Sequence, residues 1–223
     1  MKAIIARDIH KSFAQPGGKK LDVLTGANLE ISVGEIVAIV GPSGSGKSTL
    51  LNILGLMDLS DSGSLSIFSQ STEKISETSK DLIRQKEIGF LFQFDSLIEE
   101  LNLMENLDLV AMIKNNNNDS SQKAQEICRQ LGIESLLNRY PREFSSGELT
   151  RANLAKALVG APRILLADEP TGNLDPKNAR QIAGDFVSMA RKKLSAVLVT
   201  HNLDIAKMAD RVLELKNGIL EEK

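Results

Sequence analysis

The sequence predicts an α/β fold: a parallel sheet flanked by helices, with a mostly helical segment inserted into its middle. Three observations carry that prediction. The short, continuous apolar runs EIVAIV (35–40), RILLAD (163–168) and SAVLVT (195–200) read as strands buried on both faces. A helical pattern follows each of them, and strands alternating with helices imply a parallel sheet. Between the first run and its helix stands a glycine-rich turn, GPSGSGKS (41–48).

Taken in order, KAIIARDI (2–9) and LDVLTGANLEIS (21–32) alternate as strands, with the turn-rich AQPGGKK (14–20) between them. The strand 35–40 runs through the glycine-rich turn into the apolar helix pattern STLLNILGLM (48–57). SGSLSIF (62–68) and IGFLFQF (88–94) read as further strands. From Leu97 to about Ala161 the signals are mostly helical, in LNLMENLDLVAMI, SSQKAQEICRQLG and GELTRANLAKALV. Asn115 to Asn118 form a polar break, with Asp119 or Ser120 as the N-cap of the next helix. Strand and helix patterns then alternate from 163 to 210, and RVLELKNGILEEK closes as a hairpin around Asn217-Gly218.

The 223 residues suit one α/β domain with a sizeable core. Lys plus Arg number 27 against 29 Asp plus Glu, a net charge of −2, so no basic excess exists to hold a nucleic-acid backbone. The single cysteine, Cys128, excludes an internal disulfide and makes the reducing cytosol the expected compartment. It lies in a helical pattern and reads as a small buried hydrophobe. No apolar run approaches the roughly 20 residues of a membrane span. Arg7 and Asp8 interrupt any signal-peptide core at the N-terminus.

The turn 41–48 matches G-x-x-x-x-G-K-[ST] in full, and its context, a buried strand before and an apolar helix after, is what that motif requires. Gly41, Gly44 and Gly46 let the backbone fold around phosphates with its N–H groups pointing inward. The helix start adds its positive end. The expected nucleotide-binding set is Gly41, Pro42, Ser43, Gly44, Ser45, Gly46, Lys47, Ser48 and Thr49. Lys47 reaches the β- and γ-phosphates, and Ser48 offers a hydroxyl to Mg²⁺.

Asp168 and Glu169 end a buried strand, where ligands of open α/β sheets sit. An acidic pair there is often a helix cap, but downstream of a phosphate loop Asp168 is expected to bind Mg²⁺ and Glu169 to polarise an attacking water. His201 ends the next strand, within reach of a γ-phosphate, whereas His10 reads as structural or exposed. Gln93, at the end of FLFQF, is a further candidate for Mg²⁺ or its water.

Together these residues resemble the ATP-binding cassette family: the phosphate loop, then Gln93, FSSGE (144–148), ILLADE (164–169), GNLD (172–175) and His201. The resemblance covers nearly the whole chain. It implies a P-loop NTPase fold with a RecA-like core (1–95 and 161–223), an N-terminal antiparallel β-subdomain and an inserted helical subdomain (about 96–160). It also implies ATP and Mg²⁺ as ligands, and a head-to-tail dimer in which each ATP lies between one phosphate loop and the other protomer's signature. Lys47, Glu169 and His201 would then be catalytic, with Glu169 the base and His201 the contact to the γ-phosphate. Gln93 would sense the nucleotide and touch a membrane partner. Ser145, Ser146, Gly147 and Glu148 would act in trans, with Asp175 at the dimer interface. Phe13 would stack on adenine, with core packing as its rival role.

LADEPTGNLD, TLLNILGLMD and IGFLFQFDSLIEELNLMENL further resemble the lipoprotein-release and macrolide-export group (LolD-like and MacB-like), and the cell-division ATPase FtsE shares much of the pattern. The implied role is an ATP-hydrolysing subunit docked on integral-membrane permease subunits at the cytoplasmic face of a bacterial inner membrane, with lipoprotein release the leading reading. A rival of another class is a non-catalytic, ATP-gated binding module. A DNA-repair ATPase of the same superfamily would need a long coiled coil, and no heptad run occurs.

The signature departs from the family pattern. Phe144 replaces Leu, Ser146 replaces the first Gly, and Leu149-Thr150-Arg151 stands where Arg-Gln-Arg is common. Ser145 and Glu148 keep a capping-box spacing, which a capped helix alone also explains. If the backbone at Ser146 needed φ > 0, its Cβ would cost roughly 1 kcal/mol.

Overall fold

The structure is a computed structural model that describes residues 1–92, 94–114, 120–172, 174–191 and 194–223. Four strands form an antiparallel sheet: β1 (Lys2–Ala14), β2 (Lys20–Ser32), β4 (Ser62–Ile67) and β5 (Gln70–Ser71), in the order β2-β1-β4-β5. A second sheet runs β10-β9-β3-β8-β7-β6. It contains β3 (Ile36–Val40), β6 (Ile88–Leu91), β7 (Ile164–Asp168), β8 (Ser195–Val199), β9 (Arg211–Lys216) and β10 (Ile219–Glu222). All its pairings are parallel except the β9–β10 hairpin. The hairpin turn has positive φ at both Asn217 (49°) and Gly218 (76°), the type I′ geometry that suits the twist of the flanking strands.

The seven α-helices among the described residues are α1 (Lys47–Leu54), α2 (Glu77–Glu87), α3 (Leu103–Ile113), α4 (Ser120–Gln130), α5 (Ser146–Val159), α6 (Pro176–Ala190) and α7 (Leu203–Ala206). The central strands β3 and β8 are buried throughout. Side chains alternate across them. Ile164 and Leu166 of β7 face a cluster shared with the antiparallel sheet and α1 (Ile4, Ile9, Leu50, Leu54). Leu165 and Ala167 face a second cluster shared with α3 to α6 (Leu103, Leu107, Leu154, Phe186). Each such aliphatic side chain, fully buried, contributes about 1.5–3 kcal/mol of transfer free energy. Cys128 is buried in the second cluster, as its helical pattern predicts.

Three expectations need correction. Residues 77–87 form α2, where no helix was expected, because only Lys80 and Ile83 of that helix are buried and no apolar stripe marks it. Strand β6 ends at Leu91, short of the expected 94. The pattern NLDIAKMAD yields only the four-residue α7 before the chain turns into β9. The expected polar break at Asn115–Asn118 and the cap at Asp119 lie outside the described residues, and so does the side chain of Ser120.

Candidate nucleotide-binding site

The carboxyl end of β3 leads into the loop 41–46, and two neighbouring strands fix its path. A Cβ on Gly41 (φ 155°) would lie 2.5 Å from the Leu215 carbonyl oxygen of β9. A Cβ on Gly46 (φ 99°) would lie 2.7 Å from Val23 Cγ1 of β2. Gly46 is the N-cap of α1; it is left-handed and offers no side-chain cap, and the first turn carries no acid. The amide groups at this helix start therefore face the loop without a side-chain acceptor, an arrangement suited to an anion. Lys47 is buried, and its Nζ donates to Gly41 O (3.0 Å) and Pro42 O (2.9 Å), which hold the ammonium over the loop.

Pro42, Ser43, Gly44 and Ser48 are exposed along the loop, with Thr49 half-buried behind them. Among the described residues, two buried side-chain oxygens have no hydrogen-bond partner: Ser45 Oγ in the loop and Asp168 Oδ1 at the end of β7. Unsatisfied buried oxygens are rare and call for an explanation. Burial pushes the Asp168 carboxyl above the usual range and the charge of Glu169 adds to the push, while the Ser48 hydroxyl and Lys47 oppose it. A cation beside this carboxylate would offset its desolvation.

Glu169 takes a left-handed backbone (φ 45°), uncommon for a residue with a Cβ, and its N–H donates to Val199 O (3.0 Å). The conformation carries its side chain to His201 at the end of β8, where Oε2 lies 2.9 Å from Nδ1. An ionised carboxylate only accepts, so the ring proton sits on Nδ1. The imidazole is 67% exposed and Glu169 only 14%. Asp168, Glu169, His201 and the phosphate loop thus gather at the carboxyl ends of three adjacent parallel strands.

Phe13 is 42% exposed, with Lys11 Nζ 5.3 Å from its ring centroid. It pairs across the sheet with Leu21, two residues from the Val23 that touches Gly46. Its exposure removes core packing as its role. His10 is partly exposed and bonded to Asp8 (3.0 Å), as a surface histidine.

Ser145 is the N-cap of α5 in a full capping box. Its N–H and Oγ donate to Glu148 Oε2 (2.8 and 2.7 Å), and the Glu148 N–H returns to Ser145 Oγ (3.4 Å). These bonds hold the Glu148 carboxyl below its usual range. Ser146 is the first helical residue and is not left-handed, so the conditional strain at its Cβ does not arise. Gly147 also has an ordinary φ, and a Cβ there would meet nothing within 4 Å. Thr150 Oγ1 bonds back to Ser146 O (2.9 Å), and Arg151 pairs with Asp185 of α6 (3.0 Å). Phe144 and Leu149 pack against the second apolar cluster. Asp175 caps α6, accepting from the N–H groups of Lys177 and Asn178 (3.1 and 3.2 Å). Gln93, and Asn173 of GNLD, lie outside the described residues.

Comparison with known proteins accords with this geometry. The profile of the ABC transporter family matches residues 24–172. The chain belongs to the ABC transporter family. As an ABC ATPase it falls in the LolD group. It is 40% identical to the lipoprotein-releasing system ATP-binding protein LolD of Novosphingobium aromaticivorans, over 96% of each chain. It is 39% identical to that of Nitrobacter hamburgensis, over 98% of this chain and 95% of the other. Among solved structures it is similar to the dimeric bacterial ABC transporter cassette MJ0796, with a TM-score of 0.89, 33% identity, and 98% and 97% of the two chains covered. A post-hydrolysis dimer of that cassette bound to ADP and Pi matches equally well, with a TM-score of 0.89 and 32% identity. The cassette fold is therefore the P-loop NTPase architecture that the motif order implies. No helix among the described residues is long and apolar enough to cross a membrane.

Two buried polar residues fall outside the motifs. Asn106 and Asn153 are polar residues buried in helices α3 and α5. Their signal was present as polar residues at positions where the helical period demands apolar ones.

Proposed function

We propose that the cassette is the ATP-hydrolysing subunit of a lipoprotein-releasing complex, bound at the cytoplasmic face of a bacterial inner membrane to integral-membrane permease subunits. We read the whole chain as one cassette, with residues of about 96–160 as its helical subdomain. The observation that carries the chemistry is the glycine-held, uncapped start of α1 facing Lys47 and the unpartnered carboxylate oxygen of Asp168. The observation that favours lipoprotein release is near-full-length similarity to relatives named for it.

The nucleotide lies along 41–49, with its phosphates on the loop amides and Lys47 and its adenine against the exposed Phe13. Hard oxygen donors, the Ser48 hydroxyl and the free oxygen of Asp168, fit Mg²⁺, with Gln93 a further proposed ligand. Among the described residues no cluster of three or more His, Cys, Asp or Glu could hold a metal alone, and bound phosphates would supply the remaining oxygen ligands. When bound, Mg²⁺ neutralises charge on the phosphate oxygens. Glu169, held by its backbone and by His201, accepts the proton of the attacking water, and His201 orients the carboxylate and contacts the γ-phosphate.

A second protomer completes the site. Nothing among the described residues needs glycine at 147, and a helix start without a Cβ there allows close backbone approach by a nucleotide held on the partner. Ser145, Ser146 and Glu148 surround that approach, with Asp175 near it. Glu169→Gln tests the reading: nucleotide affinity is retained while turnover falls by about 10²–10⁴-fold, the usual worth of a general base. Unchanged steady-state hydrolysis removes Glu169 from that role. Release of a lipoprotein from inner-membrane vesicles carrying the permease, dependent on added cassette and ATP, tests the cargo.

A further inference from the structure

The segment after β6, residues 94–97, is tied to α5 by one buried amide. Asn153 is 7% exposed and uses both ends of its side chain. Its Oδ1 accepts from Ser96 N (3.1 Å) and Ser96 Oγ (2.9 Å), and its Nδ2 donates to Asp95 Oδ1 (3.0 Å) and to Leu149 O of its own helix (3.0 Å). Asp95 Oδ1 also accepts from Leu97 N (3.0 Å). One turn further along α5, Lys156 Nζ donates to Ser96 O. The N–H groups of Ser96 and Leu97 and the carbonyl of Ser96 are thereby all fastened.

Apolar packing makes only part of this tie: Leu97 is buried in the cluster that α5 shares, but the packing is incomplete on the other side of the segment. A cavity of about 200 Å³ opens between Leu91, Phe94, Leu149, Thr150, Pro170 and Leu174, on the side of the segment that faces the start of α5. Beside a void, dispersion contacts are lost, so on that side the relative position of the two pieces depends on directional hydrogen bonds. Asn153 lies two turns from Ser145 along a continuous helix, and the segment hangs from the carboxyl end of a strand that pairs with β7, which ends in Asp168.

We propose that Asn153 is a positioning residue that couples segment 94–97, at the nucleotide end of the sheet, to the FSSGE start of α5, so that a displacement of one moves the other. This rests on the reading of FSSGE as a clamp on the partner's nucleotide. Asn153 touches no reacting atom; its effect passes through the orientation of α5.

The test is a swap. Asn153→Ala breaks the tie, and Asn153→Asp places a second carboxylate against Asp95. In the double variant Asp95→Asn/Asn153→Asp the amide donates from position 95 to an acceptor at 153, Ser96 keeps its acceptor, and the carboxylate stays three residues from Lys156 on the helix. Steady-state hydrolysis by the full chain, with and without its membrane partner, gives kcat and KM. For Asn153→Ala, kcat falls about tenfold, the worth of one lost hydrogen bond to a charged group, while KM for ATP holds within about twofold. Asn153→Asp falls further, and the double variant recovers to within about threefold of the parent. The proposal is overturned if the double variant is no better than Asn153→Asp, or if Asn153→Ala lowers Tm and raises KM in step with the fall in kcat, as a purely structural role would. Lys47→Ala serves as a separate arm: hydrolysis that survives it sinks the reading of the phosphate loop and leaves the coupling question apart.

Discussion

Two helix starts belong to the proposed site, α1 after Gly46 and, in trans, α5 after Ser145, and they are capped in opposite ways. At α1 the cap is a left-handed glycine with no side-chain bond, wedged against Val23. At α5 the cap is a serine hydroxyl in a reciprocal box with Glu148, and the glycine beside it has open space and an ordinary backbone. The first glycine is demanded by the chain itself. Nothing among the described residues demands the second, which leaves room for the approach from outside that we propose. On the proposed reading the phosphate loop is self-contained, whereas the signature is half of a site.

Substitutions at the two starts put that contrast at risk. The largest effect is expected for Gly46→Ala. The added Cβ meets Val23 at a left-handed backbone, costing roughly 1–2 kcal/mol for the conformation alone, and nucleotide binding measured by titration falls at least about a hundredfold. Retained binding would mean that the loop tolerates a side chain and that the contrast is false.

Gly147→Ala is the counterpart. Tm stays within about 1 °C of the parent, because the Cβ points into open space and alanine is the better helix former. ATP binding to the isolated protomer is also unchanged. Turnover nonetheless falls about tenfold, as the electrostatic worth of one lost backbone approach suggests. A Tm loss comparable to that of Gly46→Ala would show that the glycine serves its own helix after all.

Ser145→Ala removes the hydroxyl cap and costs about 1 kcal/mol of stability in denaturant unfolding, the usual worth of an N-cap. Ser145→Asp, which can still cap, recovers that stability but sets a charge against the incoming phosphate and leaves turnover low.

Glu148→Gln has the smallest effect and a pH signature. The bonds from Ser145 depress the folded-state pKa of Glu148 below its ordinary 4.5. The ionised carboxylate therefore contributes stability that is fully present above 4.5 and is lost as pH falls through the lower folded value. The stability gap between parent and Glu148→Gln, followed by thermal unfolding, is expected to be open at neutral pH and to close below pH 4.5. A gap that widens on acidification contradicts the capping geometry. The carboxylate is exposed, so the gap is small throughout.

Local chemistry made much of this arrangement legible in the sequence. Strands β3, β7 and β8 announce themselves because strands buried on both faces must be apolar at every position. Lys47, Asp168 and Glu169 stand at ends of such strands or in the turn that follows one, where a side chain has few structural duties. Helix α2 was illegible for the opposite reason: it covers little apolar surface, and its start depends on Ser76 and Ser79, a pair that turns use as readily. The left-handed backbone of Glu169 was also hidden, since it follows from the bond its N–H makes to Val199 on another strand. Asn153 reads as a blemish in an apolar helix until Asp95 and Ser96 are brought beside it from 58 and 57 positions away.

Cys128, the chain's one cysteine, has a consequence for handling the protein. Burial, helped by the charge of Glu134, pushes its thiol up to about 12, so it offers almost no thiolate near neutral pH. Thiol-directed alkylating reagents find no reactive native thiol on the folded cassette. A cysteine placed at an exposed position such as Phe94 or His201 would be the sole reactive thiol, and a fluorophore or spin label could be attached there without first removing the resident one.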